Sequence, residues 1–297
     1  MTTQGWWPWA SAPTSPLPAD PYLGGTGHER AWPGGPPADG EVFGPPPRRR
    51  HGWLFRLTVT VLVLILIALV GLGALLVFTP SVSDAPARAQ AIDQQHHVAY
   101  PGPPVPYRFA AALVSTEDHR FYSEPGIDPF AIARLVEGRL TGRPDQGGAT
   151  LYVQLAKMLY VPGQSGLLVE AEEVGLGIKL DLTYSKAQLL RMYAAVAYFG
   201  HHYYGLAAAS CGYFGVTPAQ LSWPQAAMLA GLMQAPSADD PIVHPALGRA
   251  RQAHVLQRLV ATGVLTQVQA DQAFRQQLGL TVGRPGACGT ALEREPE

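Results

Sequence analysis

The sequence predicts a mainly α protein, with one membrane-spanning helix ahead of a single helical domain. Three observations predict it. Leu57 to Phe78 carries no charged residue over roughly 22 positions, enough to cross a hydrocarbon core of about 30 Å. Between about residues 101 and 277, apolar residues recur at three- and four-residue spacing. Alternating strand patterns are nearly absent from that stretch.

The expected organisation is a tail at 1–53, the membrane helix at 54–79, a stalk at 80–100, the domain at 101–278 and a flexible C-terminal tail at 279–297. The first tail is rich in Pro, Gly and Trp (Trp6, Trp7, Trp9 and Trp32 among them) and shows no apolar period. Such a segment cannot bury enough surface to offset its ordering entropy, so disorder is expected. Arg48, Arg49, Arg50 and Arg56 precede the apolar run, while Pro80, Ser81 and Asp84 follow it. This asymmetry implies a cytoplasmic N-terminus and a domain outside the membrane. The chain is charge-poor, with 14% charged residues and a formal net charge of −1. That argues against a nucleic-acid partner, which needs clustered Lys and Arg.

The domain's helices are expected at Phe109–Val114, Phe130–Leu140, Leu167–Leu180, Gln188–Val196, Gln225–Leu232 and Ala253–Val260. Thr217-Pro218 and Ser222-Trp223-Pro224 carry the capping hydroxyl and early proline of helix starts.

Chemistry concentrates in acidic residues. Ser115-Thr116-Glu117-Asp118-His119-Arg120-Phe121-Tyr122 ends an apolar helix in an acidic pair followed by two aromatics. A carboxylate near a helix C-terminus and aromatic rings is disfavoured in its charged form, which suits it to proton transfer. Glu170, Glu172 and Glu173 form a second group, in which Glu170 and Glu173 share a helix face; spacing alone reads them as solvated. Gly147-Gly148-Ala149-Thr150 leads into an apolar helix bearing Gln154 and Lys157, and such a helix start offers N–H groups to an anion. Nucleotide-binding glycine loops and nucleophile-elbow serine motifs are absent, and the histidine pairs lack a third ligand at helical spacing. Two cysteines, Cys211 and Cys288, read equally as a disulfide or as two unrelated thiols.

In order, these segments resemble the peptidoglycan glycosyltransferase family (glycosyltransferase family 51) over roughly residues 105–275. Glu117-Asp118-His119-Arg120-Phe121-Tyr122 resembles its first motif, and Gly147 to Lys157 its second. Glu173 with Tyr184-Ser185-Lys186 and Tyr193 resembles its third. Tyr198-Phe199-Gly200, Tyr213-Phe214-Gly215, Leu229 to Ser237, Arg251 and Arg258 continue the series.

The resemblance implies a lysozyme-like bilobal helical domain whose smaller lobe, roughly residues 122–170, dips into the bilayer. It implies polymerisation of lipid II into a growing glycan strand at the outer face of a bacterial cell membrane, by a monofunctional-type enzyme. Glu117 and Glu173 would be the catalytic pair, with Asp118, Phe121, Thr150, Gln154, Lys157 and Lys186 binding substrate. A divalent cation (Mg or Mn), membrane lipid and cell-wall synthesis proteins are the implied cofactor and partners. This member diverges from the pattern: an Arg-Lys pair expected before the third-motif glutamate is Val169-Glu170, and second-motif polar positions are Ala149, Tyr152, Val153 and Met158. A carboxylate at 170 would repel a diphosphate, so a weakened relative that binds lipid-linked glycan without turnover is the alternative.

Overall fold

The computed structural model describes residues 52–123, 141, 150–281 and 288. The Pro-rich tail, the expected helix at Phe130–Leu140, most of the expected smaller lobe and Gly147-Gly148-Ala149 fall outside the described residues. The chain divides into two units, Met1–Arg56 and Leu57–Glu297; the described part of the first is the opening turn of a long helix.

That helix, α1 (Gly52–Phe78, 27 residues), has no buried residue and a mean hydropathy of 3.2 over its most apolar window. At 1.5 Å per residue it is about 40 Å long, which is long enough and apolar enough to cross a bilayer.

The remaining helices are α2 (Ala85–Gln95), α3 (Tyr107–Glu117), α4 (Leu151–Tyr160), α5 (Leu167–Thr183), α6 (Lys186–Val196), α7 (Leu206–Phe214), α8 (Trp223–Leu232), α9 (Pro245–Ala261) and α10 (Gln267–Arg275). No strand occurs among the described residues, and one isolated bridge joins Tyr198 to Tyr204. The mainly α expectation therefore stands. Both sequence-level helix starts carry the reciprocal capping box, with Thr217/Gln220 opening a 3-10 turn and Ser222/Gln225 opening α8.

α8 is the centre of the core. It is apolar all round, and Ala226 through Leu232 are buried without interruption. It packs against α3 and α9, which contribute Phe109, Ala112 and Leu113, and Val255, Leu256 and Leu259. A second layer pairs α4 with α5. Gly177 permits that approach, because a Cβ there would lie 2.9 Å from Val153 Cγ2 and 3.1 Å from its backbone nitrogen. Two residues on in α5, Lys179 Nζ donates to the carbonyls of Thr79 and Pro80, beyond the end of α1.

Two expectations need correction. The stalk contains α2, whose Ala85, Ala89 and Asp93 are buried and which packs on α4 and α6. Its alanines are too small to produce a strong apolar period, which hid the helix. Two positions of the expected flexible C-terminal tail are held: Cys288 forms a disulfide with Cys211 across 77 residues, and Thr281 bonds to the backbone of Tyr213 and Gly212; residues 282–287 and 289–297 lie outside the described residues.

Candidate functional site

Glu117 is the last residue of α3, and Asp118 is its C-cap. The end of that helix is held from α9, where Arg258 Nε donates to the Ser115 carbonyl at 3.1 Å and Thr262 Oγ1 lies 2.9 Å from Ser115 Oγ. Asp118 turns across to α4, where its Oδ2 accepts the Leu151 N–H at 3.2 Å. The start of α4, expected to offer N–H groups to an external anion, thus already receives the chain's own carboxylate. Thr150 is the N-cap residue there, but its buried Oγ1 has no partner among the described residues.

α4 joins the two acidic groups. Gln154 Nε2 donates to Glu117 Oε2 at 2.9 Å, and Lys157 Nζ lies 4.0 Å from Glu173 Oε1. Residues three apart on a helix lie on one face, so Glu117 and Glu173 address the same stripe of α4, one turn apart. This is the spatial relation that periodicity could not show. Behind Gln154, the Tyr193 hydroxyl of α6 donates to Gln154 Oε1 at 2.8 Å.

The electrostatics differ between the two acids. Burial pushes the Glu173 carboxyl above the usual carboxylate range; the Lys157 ammonium opposes this and the Glu170 carboxylate adds to it. The sequence reading of Glu173 as a solvated residue is therefore corrected, since it is 8% exposed. The cause is tertiary: α4 and α5 approach closely at Gly177, leaving Glu173 beside Lys157. Near Glu117, burial holds the His254 imidazole below its ordinary value, assisted by Arg251 and Arg258 and opposed by Glu117. His254 and Tyr193 were not singled out as site residues from the sequence. The spacing of His254 and Arg258, four apart on α9, was the available signal.

Two expected substrate contacts have other occupations. Phe121 is fully buried, stacked on Tyr152 with ring centroids 5.3 Å apart. Lys186 Nζ pairs with Asp181, lies 3.3 Å from the Tyr152 hydroxyl, and sits over the Phe121 and Tyr152 rings. Tyr152 itself is buried, 1% exposed. No group of three or more His, Cys, Asp or Glu side chains able to hold a metal occurs among the described residues.

The transglycosylase family model matches residues 86–260. Penicillin-binding protein 1A of Neisseria flavescens is 36% identical over 168 residues, which is 56% of this chain and 21% of that protein. The chain thus spans about a fifth of the length of that relative. A Cupriavidus necator protein provisionally named a transglycosylase is 34% identical over 176 residues, covering 59% of this chain and 76% of that protein. Among solved structures, penicillin-binding protein 1A from Haemophilus influenzae aligns over 46% of this chain and 17% of its own, at 21% identity and a TM-score of 0.32.

Proposed function

This chain belongs to the transglycosylase family, and we propose that it is a membrane-anchored peptidoglycan glycosyltransferase that joins lipid II units into a glycan strand. The observation that carries the reading is the pair of carboxylates gripped one turn apart on α4. Two carboxylates in unlike surroundings are what transfer at a glycosidic carbon requires, one to take a proton and one to assist the leaving group.

In this reading Glu117 accepts the proton of the acceptor's sugar 4-hydroxyl. The freed oxygen bonds to C1 of the donor with inversion, and the bond from C1 to the polyprenyl diphosphate breaks. The hydrogen bond donated by Gln154 holds the Glu117 carboxyl in place. Lys157, whose side chain is 56% exposed, offers a cation to the departing diphosphate. Glu173, whose carboxyl burial raises above its usual range against the pull of Lys157, assists departure of that diphosphate in this reading.

A divalent cation fits in a restricted way. Glu170 and Glu173 would hold it, since carboxylate oxygens suit Mg2+ or Mn2+. When bound, the cation would neutralise leaving-group charge. α1 would hold the domain at the surface to which both lipid substrates are confined, with the N-terminus cytoplasmic and the domain outside. Membrane lipid and cell-wall synthesis proteins are the partners this placement implies.

The test is incubation of the full-length protein in detergent with lipid II. Glycan strands are expected; folded protein that makes none at any pH or divalent metal overturns the reading. The divergence at Val169-Glu170 favours a second reading, a relative that binds lipid-linked glycan without turnover. Binding of lipid II without product would support it, as would a gain of polymerisation in V169R/E170K.

A further inference from the structure

We infer that Tyr193 is a positioning residue for Glu117, acting through the side-chain amide of Gln154; this rests on the reading of Glu117 as the base. A glutamine amide has an acceptor end and a donor end, and it can be held either way round. With Nε2 toward Glu117 it donates to the carboxylate, as found at 2.9 Å. Turned over, it would set Oε1 against a carboxylate oxygen, acceptor against acceptor, and would suit only a protonated Glu117.

Tyr193 decides between the two. Its side chain is buried, 4% exposed, and its hydroxyl donates to Gln154 Oε1 at 2.8 Å. Burial, and then the negative charge of Glu117, push the phenol far above its ordinary range, so it keeps its proton. Among the described residues, Gln154 Oε1 is the acceptor that this O–H uses. Turning the amide over would strand a buried O–H at one end and oppose two acceptors at the other, and buried polar groups left without partners are disfavoured. The chain from Tyr193 through Gln154 to Glu117 therefore fixes the carboxylate in rotation. Oε2 is held by a donor, which leaves Oε1 to take the acceptor's proton. The phenol touches neither substrate nor reacting atoms; its effect passes through the amide.

The test is a double-mutant cycle in full-length, detergent-solubilised protein, with lipid II as substrate. Tyr193→Phe removes the O–H and keeps the ring. It should lower kcat by about 10- to 100-fold, a part of what a positioned base contributes, with KM within about twofold. In a Gln154→Met background, Tyr193→Phe should change kcat by less than about twofold, because the path is already cut. A Tyr193→Phe variant with wild-type kcat, or effects that multiply in the double variant, would overturn the inference. A second measurement needs no turnover: the Gln154 side-chain amide protons in nitrogen-15 spectra should be well separated and slow to exchange. They should collapse toward free-amide behaviour in Tyr193→Phe at unchanged melting temperature; an unchanged pair would overturn the inference. If wild-type protein polymerises nothing, the catalytic reading fails while these spectra still decide whether Tyr193 holds the amide.

Discussion

Glu117 and Glu173 approach the same face of α4 but are held by different means. Glu117 ends a helix and is fixed by a neutral donor, Gln154, which is itself fixed by Tyr193. Glu173 sits mid-helix, buried, with an ammonium 4.0 Å away and Glu170 one turn behind it. One carboxylate is oriented and the other is tuned.

The largest effect expected from this contrast is on Glu117. Glu117→Gln keeps an oxygen for Gln154 to donate to but cannot take a proton, so lipid II polymerisation should fall by about 1,000-fold or more, with the melting temperature nearly unchanged. Glu173→Gln should lower polymerisation by about 100-fold and, unlike the first variant, should stabilise the fold. Because the folded chain holds the Glu173 proton more tightly than the unfolded chain does, wild-type stability from this group is greatest at low pH. It is lost as pH rises through the folded value. The variant escapes that loss, so its gain in melting temperature should be larger at pH 8 than at pH 4. An equal gain at both pH values would show that charge is not the cause.

Lys157→Met should weaken use of lipid II by about 10- to 100-fold in kcat/KM, since a charge-assisted contact to diphosphate is worth about 1.5–3 kcal/mol. Away from both acids, Cys288→Ser removes the link from the C-terminal segment to α7. It should cost about 2–4 kcal/mol of stability while leaving kcat within twofold, read by thermal melting with and without reductant. A large loss of turnover would tie the disulfide to the site.

The fold was legible where residues repeat: α3, α5, α6, α8 and α9 all lie on apolar periods, and the capping hydroxyls marked α8. It was not legible in α2, where alanine carries the packing, nor in the Cys211–Cys288 bond, which depends on a separation through space. At the site, the residue types of Glu117, Gln154, Lys157 and Glu173 were visible in the chain. Their grouping was not, because it follows from α4 lying against α5 at Gly177 and from α9 holding the end of α3 through Arg258. The burial of Glu173 is a tertiary event that helical spacing alone reads in the opposite sense. Phe121 and Lys186 were legible as motif residues, whereas the stacking of Phe121 on Tyr152 and the pairing of Lys186 with Asp181 were not.

The central claim is that Glu117, held by Gln154, is the group that takes the acceptor's proton. Polymerisation of lipid II by wild type and Glu117→Gln, measured side by side in one detergent preparation, tests it most directly. Glycan strands from wild type and none above background from Glu117→Gln are the expected result. Strands of equal length and amount from both proteins would contradict it.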